Sequence, residues 1–195
     1  MNVTFPGLTR AAEDLSRRRF TVAEVEAMVE AGIIDEDERV ELIGGELVLM
    51  SPKGARHELV KVALLRRWFG ARPQDLDIAP ETTFRLSPDT YLEPDLVIYP
   101  AASGLLALSA ENVLLVVEIA DTSRRYDMGR KAKLYAAFGV RELWVIDAVR
   151  MTARVFLAPS PTGYGEIRDF KAKQSFVPRF DPQAFALSLA ELELR

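Results

Sequence analysis

Residues 91–100, YLEPDLVIYP, and residues 112–120, NVLLVVEIA, decide how this chain is read. Each contains an apolar run of strand length that carries an acid: Asp95 after Pro94 at the head of DLVIY, and Glu118 near the end of LLVVEIA. The second run is almost wholly apolar before Glu118, as a strand covered on both faces requires. An ionised carboxylate in such a place is costly to desolvate unless a cation or hydrogen-bond donors surround it. Two neighbouring strands can set two such acids side by side. Their oxygens then suit a hard divalent ion, with the remaining coordination positions left to water and phosphate. The other account of each acid is a strand cap or an arginine partner.

The helix after these strands, DMGRKAKLYAAFGV over 127–140, adds to this pattern. At 100° per residue Met128, Ala132, Leu134, Tyr135 and Phe138 fall on one face, with Lys131 in its middle, whereas Arg130 and Lys133 point the other way. An inward ammonium calls for anionic partners, and beside a metal-bound water it can assist deprotonation or stabilise developing charge. The alternative is a lysine that snorkels to solvent near the helix start.

Working towards the N-terminus, ARHELVKVALLRRWFG over 55–70 reads as an amphipathic helix through Val60, Leu64 and Trp68. His57, the only histidine, shares that face and is either a packing residue or an accessory to the site. RVELIGGELVLM places two β-rich runs around Gly44-Gly45, a dipeptide that tolerates the positive φ angles of a tight hairpin. Glu41 interrupts the first of these runs and is either a third carboxylate or an outer-face hairpin residue. Thr21 and Glu24 form a capping box for a short helix that Gly32 stops. Towards the C-terminus, RELWVIDAV and TARVFLA read as two further strands, and Pro159, Pro161 and Gly163 punctuate the remaining segment. The middle of the chain reads as three strands, DIAPETTFRLS, YLEPDLVIYP and NVLLVVEIA. Helix, hairpin, helix, mixed sheet, helix and two strands predict an α/β (α+β) fold with a central mixed β-sheet flanked by helices.

The 195 residues fit one domain over 20–195, preceded by an arm over 1–19. Hydrophobic residues are 49% and charged residues 28%, a globular balance. Cysteine is absent, so disulfides and thiolate metal sites are excluded and any ion must be held by oxygen or imidazole. No export signal or membrane span is read, and the expected compartment is the cytoplasm. A net charge of −4 argues against a broad basic surface for nucleic acid and asks any nuclease for a local patch. Arg124, Arg125 and Arg130 supply one candidate patch, and Lys61, Arg66, Arg67 and Arg72 another; solvated helix faces also explain them.

The fragments FTVAEVEAM, ELIGGELVLMSPKGARHELV, EPDLVIYP and LLVVEIADTSRRYDMGRKAKLYAAFGVRELWVID occur in an order that resembles the PD-(D/E)xK nuclease superfamily. Within it the resemblance is to bacterial single-domain proteins of the Uma type, described as restriction endonucleases, and it covers Phe20 to about Val155. It implies a restriction-endonuclease-like fold and hydrolysis of phosphodiester bonds in DNA with Mg2+ or Mn2+. By the same resemblance Pro94-Asp95 is the PD element, Glu118 the second acid and Glu41 the acid from the N-terminal part. Lys131 is then the lysine displaced from its strand to the helix, since Ala120 occupies the usual position two residues after Glu118. A homodimer addressing two strands is implied as well. Ala120 and the acidic charge keep two rivals in view, a catalytically silent interaction module and a metal-dependent hydrolase of a small phosphoester.

Overall fold

The computed structural model describes residues 17–120, 125–180 and 182–195, with the backbone alone at 125–128 and 182. Most of the expected arm, residues 1–16, therefore lies outside the described residues, as do Asp121, Thr122, Ser123 and Arg124. The chain forms two compact units: a smaller one with residues up to Pro52 and Thr83–Glu93, and a larger one with Lys53–Thr82 and Pro94–Arg195.

In the smaller unit, helix α1 (Val22–Glu30) begins where Thr21 Oγ1 accepts the Glu24 N–H at 3.2 Å and Glu24 Oε2 accepts the Thr21 N–H at 2.8 Å. This reciprocal box satisfies two donors that a helix start leaves orphaned. The helix ends at Ala31, and Gly32 comes next at φ +67. Strands β1 (Val40–Ile43) and β2 (Glu46–Leu49) form an antiparallel hairpin with Ile43 opposite Glu46. Its two turn residues, Gly44 and Gly45, sit at φ +58 and +82. Strands β4 (Phe84–Ser87) and β5 (Thr90–Leu92) complete a sheet of order β2-β1-β5-β4. Val22, Val25, Ile34 and Leu42 form its buried core.

The two turn glycines differ in what a side chain would meet. A Cβ on Gly45 would stand 2.5 Å from the Cβ of Arg19, whereas one on Gly44 meets nothing within 4 Å. Gly44→Ala is therefore expected to cost only the left-handed penalty of about 1–2 kcal/mol. Gly45→Ala should cost clearly more. Chemical denaturation of the two variants measures the difference, and equal losses would remove Arg19 as the obstruction.

The larger unit is built on a six-stranded sheet. Helix α2 (Ala55–Ala71) leads to strands β3 (Leu76–Pro80), β6 (Leu96–Pro100) and β7 (Leu115–Ala120). Helix α3 (Arg125–Ala137) follows, then β8 (Glu142–Asp147), β9 (Thr152–Ser160) and β10 (Gly163–Lys171). The order is β10-β9-β8-β7-β6-β3; only the β7–β8 pair, joined through α3, is parallel. The sheet is thus mixed and flanked by helices, the fold class expected from the sequence. One face buries Leu115, Val117, Ile119, Trp144 and Ile146 against Val60, Leu64 and Trp68 of α2. There Trp144 lies edge-on to Trp68, with centroids 6.0 Å apart, and to Phe176 at 4.6 Å.

Three segments depart from the sequence reading. YLEPDLVIYP is two strands, because Pro94 offers no N–H and a fixed φ, so pairing breaks between β5 and β6. DIAPETTFRLS divides into β3 and β4 at Glu81, which sits at φ +47. The C-terminal part, only loosely placed from its prolines, forms the long hairpin β9–β10 and a short pair of β11 (Ser175–Phe176) with β12 (Leu187–Ser188).

Candidate active site

Period-two alternation along β7 determines where Glu118 goes. Leu115, Val117 and Ile119 belong to the α2 side of the sheet, so Glu118 projects to the other side, under α3. It is buried, and its Oε1 accepts the Tyr135 hydroxyl at 2.7 Å and the Lys131 ammonium at 3.2 Å. Lys131 and Tyr135 are four apart on one helix and present themselves together. Lys133 and Arg130 are exposed, in keeping with the helical-face reading of α3.

Asp95 immediately precedes β6. Leu96 pairs with Val117, so Asp95 and Glu118 are the next residues along two hydrogen-bonded antiparallel strands. Asp95 is 3% exposed, and its Oδ2 accepts the Ile119 N–H at 2.7 Å. Its Oδ1 faces Lys53 Nζ at 2.8 Å and His57 Nε2 at 2.9 Å. The histidine contact has ion-pair distance but lies off the line of a good hydrogen bond. Burial alone would raise the Asp95 carboxyl, but His57 and Lys53 outweigh it and hold the group down at about 2. Asp95 is thus kept ionised inside the protein, and donors converge on both acids.

Lys53 also reaches Glu81 Oε1 at 2.5 Å, and Lys61 reaches the same oxygen at 2.7 Å and Glu58 Oε2 at 2.7 Å. The two ammonium groups overcome desolvation and hold Glu81 at about 2 as well. Lys61 is buried, so the solvated-face account of this residue does not hold. Glu81 is a non-glycine residue in the left-handed region, a conformation that costs of order 1–2 kcal/mol and persists where surrounding contacts enforce it. Its N–H donates to the Asp95 carbonyl at 3.2 Å.

His57, proposed from the sequence as an accessory, is therefore beside Asp95, buried at 1% exposure on the face of α2 that carries Val60, Leu64 and Trp68. Glu41 lies in the smaller unit, buried, where it accepts the Glu93 N–H at 3.0 Å. Of the arginines proposed for phosphates, Arg124 lies outside the described residues and the Arg125 side chain is likewise not described; Arg66, Arg67 and Arg130 are exposed. Lys53 and Glu81 escape sequence reasoning because neither interrupts a periodic run. Tyr135 was legible in principle, as it stands one turn after Lys131.

Among the described residues no set of three or more His, Asp or Glu side chains converges to encage an ion. The donor set on offer is two carboxylates, the number a magnesium ion accepts when the rest of its shell is water and substrate phosphate. Lys53 shows that a cation is accommodated at Asp95 Oδ1. In donor type, carboxylate oxygens with a cation already at one of them, the residues present fit such an ion.

A six-stranded mixed sheet with α2 and α3 on its two sides, and paired acids where β6 and β7 meet, is the architecture of a restriction-endonuclease-like protein. The Uma2 family model, described as "Putative restriction endonuclease", matches residues 22–190, and the chain belongs to that family. Among solved structures it is similar to one described as "a putative nuclease belonging to DUF820" from Anabaena variabilis ATCC 29413. That likeness has a TM-score of 0.65 at 16% identity and covers 88% of this chain and 96% of the other. No curated protein matches the chain. No helix among the described residues is long and apolar enough to cross a membrane.

Proposed function

We propose that the chain is a magnesium- or manganese-dependent endonuclease that hydrolyses phosphodiester bonds in DNA. Asp95 and Glu118 hold the ion, and Lys131 serves the reacting phosphate and water. One observation carries this reading: two buried carboxylates at facing positions just beyond the Leu96–Val117 pair of two antiparallel strands, with an ammonium 3.2 Å from one of them. Membership of the family supports it. A bound divalent ion would supply Lewis acidity and a water acidic enough to attack at neutral pH.

The protein's own groups do the rest. His57 and the Ile119 N–H orient Asp95, and Tyr135 orients Glu118, so neither carboxylate must reorganise during the reaction. Lys131, turned inward onto Glu118, offers N–H donors to negative charge that develops on the phosphate. Exposed arginines such as Arg66 and Arg130 are suited to phosphate contacts, which would make binding fall with salt. A homodimer would present one centre to each strand of a duplex. Ala120, where the usual lysine would stand, favours the alternative of a silent interaction module.

Plasmid cleavage with Mg2+ tests the assignment. Lys131→Ala is expected to lose on the order of 100-fold or more in rate, the scale of removing one donor from a developing charge. Lys133→Ala should cleave like the wild type. Equal losses in both would remove Lys131 from the mechanism, and a wild type inert with Mg2+ and Mn2+ alike would leave the module reading.

A further inference from the structure

Around the proposed metal ligands the larger unit carries further charged groups that the proposed reaction does not use. Asp95, Glu81, Glu58 and Glu118 provide four acids, faced by the ammonium groups of Lys53, Lys61 and Lys131 and by the imidazole of His57. Charge is close to balanced before any metal enters. A divalent ion at Asp95 therefore adds an excess of positive charge unless one resident cation gives way. Lys53 is the one placed to do so, because its Nζ lies 2.8 Å from Asp95 Oδ1 and has a second carboxylate, Glu81, within hydrogen-bonding distance. Its side chain is 7% exposed, so leaving Asp95 for solvent would be unfavourable, whereas retreat onto Glu81 keeps the ammonium paired. The strained backbone of Glu81 fits this role, since a left-handed glutamate is maintained where its carboxylate meets two lysines.

We propose that Lys53 is a built-in competitor for the divalent ion: its ammonium occupies the Asp95 carboxylate in the metal-free protein, and Glu81 is the second seat that receives it when the ion binds. Lys53 and Glu81 are on this account positioning residues that set metal affinity. The inference rests on Asp95 being a metal ligand.

The experiment is metal binding without DNA, by titration calorimetry with Mg2+ and by electron paramagnetic resonance of free Mn2+, on the full chain. Lys53→Met should bind the ion more tightly, by tenfold to a hundredfold, the range over which partners of ligands tune affinity. Glu81→Gln should bind it more weakly, because the ammonium loses its alternative seat. In the Lys53→Met background Glu81→Gln should have no further effect; a double-mutant cycle of this kind isolates action through Lys53. Lys53→Arg keeps the charge and grips a carboxylate with a two-pronged fork, so it should weaken binding, and it serves if the Met variant does not fold.

Unchanged or weaker binding in a folded Lys53→Met protein, with Asp95→Asn abolishing binding, would overturn the competition while leaving Asp95 a ligand. Full binding by Asp95→Asn would overturn the assignment of the metal site itself. A loss from Glu81→Gln that is the same with and without Lys53 would show that Glu81 acts on the ion directly and would refute the second-seat role.

Discussion

Asp95→Asn is expected to abolish divalent-ion-dependent DNA cleavage, with a loss exceeding the roughly 10- to 100-fold seen when only an outer partner of a metal ligand is removed. The amide retains the shape of the carboxylate and one oxygen for the Ile119 N–H, so the strand junction should survive. The variant lacks the negative charge on which Lys53 and His57 converge. Asp95→Ala removes the acceptor as well. Removing the negative partner of the buried Lys53 ammonium is costly in either variant. The alanine variant, which also leaves the Ile119 N–H without its acceptor, should melt below the asparagine one, with a further loss of about 1–3 kcal/mol, the cost of an unsatisfied buried donor. Measuring cleavage and melting together separates the two effects. An asparagine variant that still cleaves within a few-fold of the wild type would remove Asp95 from the chemistry.

Trp144→Ala should produce a large loss of stability, about 3–5 kcal/mol, because a fully buried indole leaves a cavity that its neighbours fill only in part. Trp68 and Phe176 meet it edge-on, and its Nε1 donates to Glu142 Oε1 at 2.7 Å. Glu142 is itself buried, and desolvation already raises its carboxyl above the ordinary range despite the donors from Arg179 N and Trp144. Loss of the indole donor adds to the cost of ionising it. For a chain of this length the change corresponds to a fall in melting temperature of about 6–20 °C. Trp144→Phe keeps most of the volume and should lose much less. A Trp144→Ala protein melting within about 2 °C of the wild type, below the range expected for such a loss, would show that this cluster does not carry the stability of the larger unit.

The elements legible in the sequence were those with local signals. The capping box at Thr21 and Glu24, the Gly44-Gly45 turn and the two-faced apolar run of β7 each state their structure within a few residues. Lys131 was legible for the same reason, since a helix of known phase fixes which lysine turns inward. The division of YLEPDLVIYP was less so: Pro94 signals a break, but only tertiary pairing reveals that β5 and β6 join different sheets. Lys53 and Glu81 could not be found locally, because their contacts span 28 residues and a lysine in an irregular segment has no phase to read.

The chain passes between the two units after Pro52, after Thr82 and after Glu93. Lys53, Glu81 and Asp95 each stand within two residues of one of these passages, and they are bonded to one another. Three separate threads are thus tied by a single knot of opposite charges. A proline or an insertion introduced at any one thread would be felt first by these charges, the Asp95 carboxylate among them, before it disturbed the hydrophobic interior.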